Sequence, residues 1–185
     1  NCNHIGWEDG HLPEYTGKYE FFDAWMRAAV FVCIGNYMFR ADKLKKKKFV
    51  NFPCAFGSDS ATCIMMAENG VANTPDVLFY FRQSTIHLSS SVNLDTLHKK
   101  LIANDQQFQF FKALDWGKPT DERDIQFASA LSESRLNTKC KYDAYNLVIK
   151  HLPLSKLHWI KDCTFLKTKD KLEMALRYFY DKIFK

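Results

Sequence analysis

Apolar residues along this chain recur at two different spacings, and the change from one to the other predicts the elements. Phe21, Phe22, Trp25 and Met26 fall on one face of a helix over residues 20–29. Val30, Phe31, Val32, Cys33 and Ile34, then Tyr37, Met38 and Phe39 beyond Gly35, are rich in β-formers and predict a buried strand interrupted at that glycine. Residues 41–48 read as a short helix ending in four lysines. Residues 49–52 read as extended, because Pro53 pushes the residue before it out of the α region. Gly57-Ser58-Asp59-Ser60 is a helix start, followed by a helix over residues 61–68 and a stop at Asn69-Gly70. The run from Val77 to Phe81, ending at Arg82, is apolar on both faces, as a strand enclosed between layers is. The serines at 89–91 with Asn93 cap a long helix carrying Leu94, Leu97, Leu101, Ile102, Phe108, Phe110 and Phe111. From residue 120 onward the pattern is helical, with breaks at Pro153 and across residues 164–169.

These elements predict an α/β class: a short mixed sheet with helices over residues 1–92, and a helical part over residues 93–185. With 185 residues and no linker-like stretch, the expected organisation is one domain spanning residues 1–185. A hydrophobic share of 46% against 25% charged excludes a disordered tail or a low-complexity linker. The net charge of +5 comes wholly from residues 93–185, since acids and bases cancel before them. So small an excess does not call for a nucleic-acid partner. Six cysteines form no CxxC pair and no zinc-type spacing, which fits free thiols buried in a reducing compartment. The longest apolar run, residues 28–34, is far below the ~20 residues of a spanning helix.

Three local features carry candidate chemistry. The turn from Phe52-Pro53 to Ser60 delivers Asp59 to a helix N-terminus, where free N–H groups and the helix dipole favour a carboxylate. A carboxylate there can take a proton from a substrate hydroxyl; on spacing alone, a plain helix cap is the commoner use of the same residues. Arg82 ends a strand before a hydroxyl-rich loop containing Ser84, His87 and Ser89, a setting suited to phosphate oxygens. A surface arginine beside a serine cap is again the plainer alternative. The third feature is basic: Lys45 to Lys48, and a lysine-rich terminal helix with Leu172, Leu176, Phe179 and Ile183 along one side. That helix could lie on an anionic membrane surface, but packing on its own domain is commoner, and Asp170, Glu173 and Asp181 dilute its basic face.

The order of these motifs resembles the C-terminal part of family 2 glycosyltransferases, the inverting GT-A class, in particular bacterial members that build surface polysaccharides. The resemblance spans about residues 30–110. It rests on Tyr37-Met38-Phe39-Arg40, on the segment from Phe52-Pro53 to Asp59-Ser60-Ala61-Thr62, on Asn69-Gly70, and on Phe81-Arg82 followed by Ser89-Ser90-Ser91. It implies a partial GT-A-like core, with Asp59 as the base that deprotonates the acceptor hydroxyl and Ser58 and Ser60 on the acceptor-side turn. It also implies Arg82, Ser84, His87 and Ser89 near the donor diphosphate. The implied partners are a nucleotide-sugar donor and a glycan or lipid-linked acceptor, with Mg²⁺ or Mn²⁺ in the parent enzyme held mostly by residues outside this chain. A cytoplasmic setting, with a peripheral contact to the inner face of the membrane, follows from such acceptors. The family's acidic pair is Ser58-Asp59 here, and Ser84 stands where a histidine is common. The nucleotide-binding half with its DxD motif is not found, so the chain is expected to be a C-terminal portion that is inactive alone. The rival expectations are a non-catalytic scaffold and a basic membrane-surface module.

Overall fold

A computed structural model describes residues 12–29, 34–74 and 91–184, and within them helices predominate. Their order is β1 (Tyr15–Thr16), α1 (Lys18–Met26), α2 (Ala41–Lys47), α3 (Ser58–Met66), β2 (Val71–Ala72), α4 (Leu94–Ala113), α5 (Glu122–Ala130), α6 (Glu133–His151) and α7 (Thr168–Phe184). Short 3-10 turns occupy Ile34–Asn36, Pro53–Ala55 and Leu154–Asp162. Among the described residues no helix is long and apolar enough to cross a membrane.

α4 is the spine. At 20 residues it is ~30 Å long, and Asn93 starts it by accepting from the Thr96 N–H at 2.8 Å. Leu97, Leu101, Phe108 and Phe111 are buried along it, but so are Lys100, Asn104, Asp105 and Gln107. A helix covered on so much of its circumference must spend its polar side chains on neighbours. Asn104 donates to the Cys140 carbonyl of α6 at 2.8 Å, and Asp105 accepts from the Phe165 N–H at 3.1 Å. α6 answers α4 with Leu136, Cys140, Ala144 and Val148, all buried at intervals of four.

α1 packs Phe22 against Trp25, Phe111 and Trp116, with ring centroids 4.6–5.4 Å apart. Its first turn begins at Gly17, which has no side chain to cap it. Asp124 of α5 serves instead, its Oδ1 accepting from the N–H groups of Tyr19 and Glu20 at 3.0 Å each. Farther along, Glu20 pairs with Arg123, and Asp23 with Arg27 and Arg135. Burial raises the Glu20 carboxyl, and the Arg123 charge and hydrogen bond oppose that rise.

The described β-structure is smaller than the sequence predicts. β1 and β2 form one antiparallel pair of two residues each, Tyr15 opposite Ala72 and Thr16 opposite Val71. Gly70, at φ +82°, closes the turn before β2, where a Cβ would fall 2.4 Å from the Tyr15 hydroxyl. The expected strand through residue 39 does not form over its described part: Ile34–Asn36 is a 3-10 turn, and among the described residues no strand includes residues 37–40. Tyr37 and Phe39 instead use their rings, Tyr37 edge-on to Phe21 and Phe39 edge-on to Phe49, while Met38 is 91% exposed. The expected strand at 77–82 lies outside the described residues.

The chain after residue 120 is helical as the pattern predicts, with a further break at Leu131–Ser132, where Ser132 caps α6, and with a different seating of α7. α7 seats through Met174 and Tyr178, whose hydroxyl donates to the Leu152 carbonyl at 2.9 Å. Leu172, Leu176, Phe179 and Ile183, the side expected to pack, are exposed. Polar contacts decide that orientation: Lys141 of α6 bonds Asp170 at 2.7 Å and Glu173 at 2.9 Å, which turns the acidic side of α7 inward.

Candidate functional site

The turn that carries Asp59 is held in an unusual backbone path. Cys54, Ala55 and Gly57 have φ of +49°, +55° and +76°, a region glycine enters freely and other residues enter at a cost of order 1 kcal/mol or more. The surroundings hold the chain there. The Val50 N–H donates to Thr62 Oγ1 at 3.0 Å, the Phe52 N–H to Ser58 Oγ at 3.0 Å, and the Thr62 hydroxyl to the Ser58 carbonyl at 2.6 Å. From α4, Gln107 donates to the Gly57 carbonyl at 3.2 Å, and a Cβ on Gly57 would sit 2.0 Å from its amide nitrogen. The extended segment and the first turn of α3 are thereby strapped together.

Asp59 stands apart from this strapping. It lies in the first turn of α3, half-buried, and its Oδ1 accepts from the Ser60 N–H at 2.8 Å. Ser58 and Ser60 are both buried. The Ser58 hydroxyl is taken by Phe52, and the Ser60 hydroxyl approaches Asp59 Oδ1 at 3.5 Å. The N-cap position is Gly57, with no side-chain acceptor, but Asp59 itself takes one first-turn N–H, that of Ser60, which is close to the plain capping use that spacing alone suggested. One turn along, burial pushes the Cys63 thiol up to about 12, and the Asp59 charge adds to that rise. Cys63 is buried among the core side chains.

Lys100 is the cation that sequence reading passed over. It sits among the leucines of α4, with its ammonium 5.6 Å from the centre of the Phe56 ring and donating to the Ser91 carbonyl at 2.8 Å. Burial lowers its pKa. A lysine spaced three residues from Leu97 and four from Asn104 on one helical face was the available signal. Arg82, Ser84, His87 and Ser89 lie outside the described residues.

Elsewhere, His98 meets Asp162 at 2.8 Å and stacks on Trp159 at 4.2 Å, joining α4 to the 154–162 turn. Two surface hollows of about 480 and 370 Å³ are lined by α6 with α7 and by α1 with α6; Asp59 lines neither. Among the described residues no three His, Cys, Asp or Glu side chains converge as a metal-ligand set. The chain matches no model of a known protein family, no curated protein and no solved structure.

Proposed function

We propose that this chain is the acceptor-side, C-terminal portion of a family 2 inverting glycosyltransferase with a GT-A-like core, of the type that builds bacterial surface polysaccharides. What supports the reading, beside the order of motifs, is Asp59. Its half-buried carboxylate sits on a rigid turn, strapped by Ser58 and Thr62, with one oxygen accepting from the Ser60 N–H.

The chemistry asks for one base and no covalent nucleophile. The acceptor hydroxyl gives its proton to the Asp59 carboxylate as its oxygen bonds to the anomeric carbon. The bond from that carbon to the diphosphate breaks on the opposite face, and the nucleoside diphosphate leaves with the electron pair. Arg82, with Ser84, His87 and Ser89, is assigned to the leaving diphosphate, whose developing charge a guanidinium fork suits. Mg²⁺ or Mn²⁺ belongs to the parent enzyme in this reading. The described residues supply no ligand set for it, and no step is routed through it. The donor class places the reaction on the cytoplasmic side, with a glycan or lipid-linked acceptor.

The test is transfer from a panel of UDP- and GDP-sugars by the full-length parent and its Asp59→Asn variant. Loss of a general base lowers the rate by about 10²- to 10⁴-fold, so the variant is expected to lose at least a hundredfold in kcat while still binding donor. A variant with full activity removes Asp59 as the base. A parent with no transfer or donor hydrolysis across the panel overturns the family reading.

A further inference from the structure

We propose that α7 docks the protein onto an anionic lipid surface, laying its outward apolar face into the boundary between headgroups and acyl chains. That face comprises Leu172, Leu176, Phe179, Tyr180, Ile183 and Phe184, each between 43% and 69% exposed. They recur at positions 0, 4, 7, 8, 11 and 12 of the helix, which draws one continuous stripe ~18 Å long. With side chains of this size, roughly 600 Å² of apolar surface stands open, at the upper end of what a monomer's largest patch presents.

The helix itself is firmly seated, so the stripe is not the product of a loose end. Met174 and Tyr178 are buried on the opposite side, and Lys141 holds Asp170 and Glu173. The same contacts sort the charges of α7. Asp170 and Glu173 share the Lys141 ammonium of α6, Glu173 is also 3.1 Å from Arg177, and Asp181 is half-buried. Lys169 and Lys182 are exposed on the helix, and Lys167 is exposed just before it. The net positive charge of the chain also lies wholly in the half containing α7.

An apolar stripe edged by exposed lysines complements an anionic bilayer: the rings and aliphatic groups enter the interface, and the long lysine stems keep their ammonium groups among the phosphates. A second copy fits less well. Pairing two α7 helices would bring the exposed lysines of both into one small interface, and ~600 Å² per partner is short of the ~800 Å² of a standard stable interface. The inference stands apart from the glycosyltransferase reading, because it uses no residue of the Asp59 turn.

The test is flotation of the full-length protein with phosphatidylcholine vesicles and with equal mixtures of phosphatidylcholine and phosphatidylglycerol, without sugar nucleotide. The wild type is expected to float with the mixed vesicles, weaken several-fold as salt rises from low to about 0.5 M, and stay behind with phosphatidylcholine alone. A Leu176→Asp/Ile183→Asp variant should lose at least tenfold in binding. Both sites face solvent, so its melting curve should match the wild type. Lys169→Glu/Lys182→Glu should lose binding to the mixed vesicles as well. Wild type that fails to float, or an aspartate variant that floats equally well, overturns the proposal. A wild-type dimer in solution that the aspartate variant splits, with no flotation, also overturns it and assigns the stripe to a second copy.

Discussion

Asp124 joins the two ends of the described chain's first helical contact, and its removal should be among the costliest single changes. The side chain is fully buried and accepts from the backbone N–H groups of Tyr19 and Glu20 at 3.0 Å and of Thr120 at 3.1 Å, with the Thr120 hydroxyl at 3.4 Å. Asp124→Ala strands three main-chain donors. At ~1 kcal/mol for each of the two partly buried ones and ~2 kcal/mol for the buried one, the loss is about 4 kcal/mol. Asp124→Asn keeps one acceptor oxygen but points an NH₂ at a donor, and should cost about 2 kcal/mol. With an m-value of about 2 kcal/mol/M in urea, the midpoints should fall by ~2 M and ~1 M at unchanged m. Gly17→Ala tests the same contact from the other side. The glycine has φ −67°, which alanine accepts, but its Cβ would lie 2.1 Å from Asp124 Cγ and displace the carboxylate. The Gly17→Ala/Asp124→Ala double variant should therefore be no less stable than Asp124→Ala alone, a clear failure of additivity. A midpoint shift under ~0.5 M for Asp124→Ala, or costs that simply add, would refute the reasoning.

Two further outcomes follow from named contacts. The hydrogen bonds from Lys141 hold the carboxyls of Asp170 and Glu173 below their ordinary values, so this contribution is full above the unfolded values near pH 4–4.5 and is lost as pH falls through the lowered ones. Lys141→Ala should flatten that acid limb of the stability profile, measured by urea melts from pH 3 to 6, and an unchanged limb would remove the pair as its cause. Burial pushes the thiols of Cys63, Cys140 and Cys163 up to about 12, so at pH 8 iodoacetamide should leave all three unlabelled in the native protein while half-exposed Cys54 reacts; peptide mass mapping reads the difference. Fast native labelling of Cys140 would show that the contact between α4 and α6 opens readily.

The helices after residue 93 were legible because their signals are local. Asn93 caps α4, the breaks at Pro153 and near residue 164 bound the 3-10 turn and α7, and apolar residues at helical spacing mark the buried side of α4. The Gly57-Ser58-Asp59-Ser60 signal located α3, although the helix begins at Ser58, three residues before the expected 61–68, and ends at Met66. Contacts between distant residues were not legible. Tyr37 and Phe39 have β-forming character, but a strand also needs a partner with free backbone groups, and here their rings meet Phe21 and Phe49 instead. Nothing local tells that α1 after Gly17 is capped by Asp124, 104 positions beyond Glu20. Hydrophobic spacing in α7 identifies an apolar stripe without saying what it meets. Lys141, drawing in Asp170 and Glu173, and the seat of Met174 and Tyr178 turn that stripe outward. Propensity and capping act within a few residues of the chain, so the sequence carries them openly. Which face is buried, and which partner each carboxylate finds, depends on side chains that meet only when the chain has folded.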